Sequence, residues 1–178
     1  MEPTDIDLLR KAKAGESAAF RHLMDRHAAA ILRLASNLVP NHHDAEDVLQ
    51  ETFIAAFRSM KAFEERSSVK TWLYAIAYRQ AALLRRKKRM PMQMLTDDAL
   101  LAGPEMKHEL AVDAKIDLDK ALAHLPEDHR AILILRELEG MSYEEIAGIL
   151  ELPRGTVESR LHRARQSLKN YFQPGMGR

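Results

Sequence analysis

Apolar residues recur every three or four positions along most of the chain, the spacing of helices that bury one face. Ile6, Leu8, Leu9 and Ala12 mark a short helix over residues 5–14. Phe20, Leu23, Met24, Ile31, Leu34 and Leu38 mark a longer one over 17–39, which Pro40 and Asn41 stop. Asp44, a good N-cap, opens a third that reaches Phe63, with Ala45, Val48, Leu49, Thr52, Phe53, Ala56, Phe57 and Met60 as its core stripe. A fourth runs from about Val69 to Arg89 and buries Leu73, Ile76, Ala77, Leu83 and Leu84.

After Met90 the period is lost. Residues 91–113 hold two prolines, a glycine, the acids Asp97, Asp98, Glu105, Glu109 and Asp113, and a single base, Lys107. This composition reads as a flexible acidic linker. Helical spacing resumes over 114–124. Pro126 then suits the first turn of a helix that ends before Gly140. Ser142 and Glu145 form a capping-box pattern for a helix over 142–150, "ELPR" makes a tight turn, and the last helix spans about 155–172. The expected fold is all-α: two small helical domains joined by the linker, the second carrying a helix-turn-helix.

Composition narrows the chemistry. With 178 residues and 46% apolar content the chain can pack two small cores. It has no cysteine, so disulfides and thiolate metal sites are excluded. It has no 18-residue apolar run, and its charged N-terminus lacks an apolar signal core, so the expectation is a cytosolic protein. Net charge is +1, but the charge is unevenly placed.

Bases concentrate in two helices. Arg154, Arg160, Arg163, Arg165 and Lys169 surround Glu158 in the last one. There Val157, Leu161, Ala164, Leu168 and Phe172 share a face that would pack on Tyr143, Ile146, Ala147 and Leu150. Glu158, Ser159, His162, Arg163, Gln166 and Lys169 share the other. Polar side chains at the start of such a helix reach base edges in the major groove, and flanking arginines neutralise phosphates. The fourth helix ends in "RRKKR", with Arg66, Lys70 and Arg79 upstream. Thr71, Tyr74, Tyr78 and Arg85 form one stripe and Trp72, Arg79 and Arg86 the next. Interleaved bases and aromatics suit unstacked nucleic acid. The third helix shows an outer face of Asp47, Gln50, Glu51, Ile54 and Arg58, whose apolar Ile54 suggests protein docking.

In order and spacing these segments resemble the extracytoplasmic-function (ECF) class of sigma-70 family sigma factors. "DAEDVLQETFIAAF" is similar to the conserved-region-2 helix that binds the RNA polymerase clamp. "SSVKTWLYAIAYRQAALLRRKKR" is similar to the promoter-melting, −10-reading segment. The stretch from "ALAHLPEDHR" to "SRLHRAR" is similar to region 4, which reads the −35 element.

The resemblance implies a non-enzymatic transcription initiation factor with no cofactor. Residues 1–90 would be region 2, 91–113 the linker and 114–178 region 4. Its partners would be core RNA polymerase, promoter DNA and an anti-sigma factor. Asp47, Gln50, Glu51 and Ile54 would contact the polymerase. The loop from Phe63 to Lys70, including Arg66, Ser67 and Ser68, would hold a flipped −10 base, with Thr71, Tyr74, Arg79, Arg85 and Arg86 supporting the strand. Thr156, Ser159, His162 and Arg163 would face the −35 duplex, flanked by Arg154, Glu158 and Arg160. The linker would follow the basic path toward the active centre, where its acidity mimics nucleic acid.

Two other readings fit parts of the sequence. "NHHDAED" places His43 and Asp47 four apart, as in a helical metal site, but no second His/carboxylate cluster supplies the remaining ligands. A ligand-sensing helix-turn-helix regulator would bind operator DNA without polymerase; "DAEDVLQETF" and "RRKKR" favour the sigma reading.

Overall fold

The computed structural model describes residues 2–89 and 118–172, residue 119 excepted. The linker over 91–113 and residues 114–117 and 119 of the expected helix over 114–124 lie outside the described residues. The chain divides into two compact units, an N-terminal and a C-terminal one.

In the N-terminal unit α1 spans Asp5–Lys13, α2 Ser17–Leu38, α3 His42–Ser59 and α4 Val69–Arg89. α1 starts at a capping box: the Thr4 hydroxyl accepts from the Asp7 amide while the Asp7 carboxylate takes the Thr4 amide. Gly15, at φ +105°, turns the chain into α2, a backbone angle that L side chains rarely adopt. α2, α3 and α4 pack on one another, and α1 lies mainly on α2. Leu9, Ile31, Leu34, Ala45, Ala56, Leu73, Tyr74 and Ala77 are almost wholly excluded from solvent.

Three expectations for this unit are corrected. The N-cap of α3 is Asn41, whose side chain accepts from the Asp44 amide at 2.9 Å. Asp44 is therefore inside the first turn, 1% exposed, and held by Asn41 and Lys88. Phe57 and Leu83, read as core, are 52% and 49% exposed. Each sits at the rim of its helix's apolar stripe, where the stripe is wider than the neighbouring helices that cover it. α3 also stops at Ser59, and a 3₁₀ turn over Met60–Ala62 leads into the loop before α4.

In the C-terminal unit, helical residues 120–123 precede α5 (Glu127–Leu133), α6 (Tyr143–Leu150) and α7 (Arg154–Phe172). Pro126 is the N-cap of α5, one position before its first helical residue. After α5 the chain takes a π turn over Ile134–Leu138, closed by the Glu139 amide on the Ile134 carbonyl, where an uninterrupted helix was expected. Gly140, at φ +67°, ends it. The core joins Leu122, Ile132, Ile134, Leu135, Met141 and Ile146 to Val157, Leu161 and Ala164 of α7. Phe172 is half exposed, since the α7 stripe runs past the elements that cover it; it stacks edge-on against Tyr171, which meets His124.

Candidate functional site

The first candidate surface is the outer side of α3. Gln50, Glu51 and Arg58 are exposed, Asp47 is partly so, and Ile54 is 41% exposed. Phe57 joins them. It follows Ile54 by three residues and Gln50 by seven, which puts it on their face. That spacing is the sequence signal for its outward position, and it competes with the usual burial of an aromatic ring. Its ring packs edge-to-face on buried Phe20 at 5.2 Å. The Asp47 and Glu46 carboxylates lie 3.9 and 3.3 Å from His43 and His42, exposed i,i+4 pairs that contribute little to stability. The "NHHDAED" residues thus serve α3's start and surface, with Asp44 turned inward to Lys88.

The second is a cavity of about 390 Å³ between the 3₁₀ turn, the loop after it and the start of α4. Phe63 and Trp72 form an aromatic wall, with ring centroids 4.7 Å apart. Glu64, Arg66, Ser67 and Arg79 bring polar groups to the lining, and Ser59, Ala62 and Ile76 complete it. The Arg66 guanidinium pairs with Glu64 at 2.7 Å, and both are well exposed. A small concave site with an aromatic wall and a few hydrogen-bonding groups suits a planar heterocycle.

Several residues assigned to this site stand behind it. Ser68 caps α4, its hydroxyl taking the Thr71 amide at 3.0 Å and meeting the Thr71 hydroxyl at 2.8 Å. Thr71 is 5% exposed and Tyr74 fully buried, so neither presents a side chain to a strand on the surface. Tyr74 follows the core spacing of Ala77, three residues on. Lys70 lies over the Tyr74 ring at 5.4 Å.

The basic end of α4 also divides. The Arg85 guanidinium donates to the Leu38 carbonyl at 2.6 Å, satisfying the C-terminus of α2, and Lys88 reaches Asp44. Arg86 and Lys87 are exposed, and Arg79, two turns before Arg86, shares its outward face.

The third surface is the helix-turn-helix. Ser142 and Glu145 build the reciprocal capping box at the start of α6. Glu151 takes a left-handed conformation, φ 55°, to end α6, and Leu152 and Pro153 lead into α7. Ser159, His162, Arg163, Gln166 and Lys169 are exposed along the outer side of α7, and Thr156 is half-buried in its first turn. The remaining bases are engaged inside the unit. Arg160 pairs with Asp128 at 2.6 Å and Arg165 with Glu137 at 2.6 Å, fastening α7 to α5 and the π turn. Arg154 bridges Glu158, at 3.0 Å, and Glu144, at 2.7 Å, and the Glu158 hydrogen bond raises its pKa further.

Known proteins match both halves. The family described as Sigma-70 region 2 matches residues 23–90, and Sigma-70, region 4 matches residues 115–168. The chain is 36% identical over 183 residues to the ECF RNA polymerase sigma-E factor of Escherichia coli (strain K12), covering 96% of this chain and 95% of that protein. The counterpart from Haemophilus influenzae is 37% identical over 186 residues, covering 97% of each. Among solved structures, CnrH in complex with the cytosolic domain of CnrY superposes with a TM-score of 0.71 at 25% identity, covering 94% of this chain and 96% of that one. The sigma factor RpoE of Bartonella quintana, solved with the anti-sigma factor NepR, gives 0.70 at 29% identity, covering 86% and 96%. Similarity over both regions decides against a regulator that works without polymerase. The chain belongs to the ECF class of sigma-70 family sigma factors, which are transcription initiation factors and not enzymes.

Proposed function

We propose that this sigma factor divides its work among residues 1–90, which dock on core RNA polymerase and read the −10 element, 114–178, which read the −35 element, and the connecting 91–113. Asp47, Gln50, Glu51 and Ile54, extended by Phe57, meet the polymerase clamp. One −10 base, turned out of the non-template strand, enters the cavity and stacks against the Phe63 and Trp72 wall. Glu64, Arg66 and Ser67 supply hydrogen bonds to its edge, and Arg79, Arg86 and Lys87 follow the phosphates. Ser68, Lys70, Thr71, Tyr74 and Arg85 shape the site from behind. On α7, Thr156, Ser159, His162 and Arg163 face the −35 duplex; Arg154 and Glu158 act there as a linked pair, and Arg160 orients the helix.

The observation that carries this reading is the aromatic-walled cavity opening beside a row of outward-facing bases, in the segment matched to region 2. Acting on promoter DNA together with polymerase, the protein would work in the cytosol. Among the described residues no helix is long and apolar enough to cross a membrane. Since RpoE was solved with an anti-sigma factor, a partner of that kind is also expected to restrain this chain. Transcription with purified core polymerase on a library of −10 and −35 sequences tests the function. Initiation that depends on this protein and on both elements is expected. Tight operator binding by the protein alone, with no change in the polymerase's choice of promoter, would overturn it.

A further inference from the structure

The loop that walls the cavity is shaped from outside, by α1. Glu65 sits at φ 58°, a left-handed backbone that a non-glycine residue holds only when its surroundings require it. Its carboxylate receives both arms of Arg10: Nε to Oε1 at 3.1 Å and Nη2 to Oε2 at 2.5 Å. One turn along α1, the Lys13 ammonium donates to the Phe63 carbonyl at 2.6 Å and lies 5.6 Å from the centroid of the Phe63 ring. α1 is itself fixed on α2, through buried Leu8, Leu9 and Ala12 and through Asp5, which contacts Arg26 and His27 at 2.7 Å each. Two cations on a docked helix therefore hold both ends of the segment Phe63–Glu65.

We propose that Arg10 and Lys13 are positioning residues for −10 recognition, fixing Glu65 and Phe63 so that the cavity accepts one base in preference to the others. This rests on the reading of the cavity as a base-capture site. The Arg10–Glu65 pair spans 55 positions of sequence and is largely solvent-exposed, so it adds little to the stability of the fold. Its structural consequence is local. Releasing Glu65 from the left-handed region swings the neighbouring Glu64 and Phe63, and hydrogen bonds to a base edge fail when their donors and acceptors shift by a fraction of an ångström. The Arg10 hydrogen bond also holds the Glu65 carboxyl below the usual carboxylate range, so the pair is ionised throughout the neutral range.

The test uses the full-length protein with core polymerase and a promoter library randomised across the −10 element. Arg10→Gln is expected to flatten the preference at one −10 position by about two- to fivefold, leaving affinity for core polymerase and the melting temperature unchanged. Lys13→Met should move the same position. The charge-swapped pair Arg10→Glu with Glu65→Arg should recover most of the lost preference. Unchanged preference in Arg10→Gln and Lys13→Met, or a loss equal on every −10 sequence, would overturn the proposal. Arg66→Ala, which alters the cavity lining directly, separates the two levels. If it shifts base preference and Arg10→Gln does not, only the α1 clamp fails; if it too acts equally on all sequences, base capture itself fails.

Discussion

The Nζ of Lys88 lies 2.5 Å from the Oδ1 of Asp44, linking the end of α4 to the first turn of α3. Asp44 is 1% exposed, so its carboxylate depends on that ammonium and on the Asn41 amide for partners. Arg85, one turn earlier, closes the C-terminus of α2 at Leu38. A run of bases that looks like one phosphate-binding cluster is split by helix geometry. Arg85 and Lys88 are tied to the bundle by their contacts with Leu38 and Asp44, although Lys88 is itself exposed, while Arg86 and Lys87 are exposed.

Stability and DNA binding should therefore separate along this run. Asp44→Ala should lower unfolding free energy by ~1–3 kcal/mol, because it removes a buried, charge-assisted hydrogen-bond centre. Arg86→Ala should change it by less than ~0.5 kcal/mol, yet weaken promoter complexes and reduce their salt slope by about one. Thermal melts and salt titrations of open-complex formation measure both. Equal destabilisation by the two variants would contradict the division.

Phe57 offers a second separation. Ile54 and Phe57 are exposed apolar neighbours amid Gln50, Glu51 and Arg58, and they carry the apolar content of the proposed docking face. Asp47→Ala with Gln50→Ala should leave stability within ~0.5 kcal/mol, as surface changes do. Phe57→Ala loses its edge contact with Phe20 and part of its burial and should cost about 1–2 kcal/mol. Both should weaken binding to core polymerase, measured by competition with another sigma factor. Undiminished polymerase binding with a sharp fall in melting temperature would make the face structural.

Local chemistry made much of this molecule legible. The Ser142–Glu145 box, Pro126, Gly15 and Gly140 punctuate helices by short-range rules, and those boundaries emerge within a few residues of expectation. The facing of charged residues was less legible. Periodicity assigns a side chain to a side of its helix but not to the group opposite, so the partners of Arg85, Lys88, Arg160 and Arg165 were invisible. Tyr74 could have been placed correctly, since Leu73, Ala77 and Ala81 fix the buried side of α4 around it. The Arg10–Glu65 contact had no local signal at all, because its partners are joined only by the docking of α1.

Acid should loosen α1 in a defined direction. Burial pushes the Asp5 carboxyl up, but hydrogen bonds from Arg26 and the contact with His27 outweigh it and leave the pKa below the ordinary aspartate value. A carboxyl whose folded-state pKa is depressed contributes stability that is fully present above its unfolded value, ~3.9, and is lost as pH falls through the folded value. Asp5→Asn should therefore lower the melting temperature at pH 7 and have a smaller effect at about pH 3, where the unfolded carboxyl is already mostly protonated. A destabilisation that is the same at both pH values would assign Asp5 a role independent of its charge.

Glu158 is the acid in the middle of the basic helix, and its neighbour decides how it acts. A carboxylate here can accept from the N4 amino group of cytosine, or it can orient another side chain. The Arg154 Nε lies 3.0 Å from its Oε1, and Glu144 holds the far side of the same guanidinium at 2.7 Å. Arg154 is the first residue of α7, and a recognition helix contacts base edges through its N-terminal residues. The pair should therefore work as a unit. Glu158→Gln, Arg154→Ala and the double variant are each expected to lose preference at the same −35 position. The double variant should be no worse than Arg154→Ala, because Glu158 has nothing left to orient. Loss of the i,i+4 pair would by itself change stability by only ~0.2–0.5 kcal/mol, whereas a base contact carries ~1–3 kcal/mol of discrimination, so the effects are separable. A saturated −35 library transcribed with each variant provides the measurement. Additive losses at two different positions would mean that Glu158 reads a base on its own, and a uniform change across all sequences would mean that it only tunes charge.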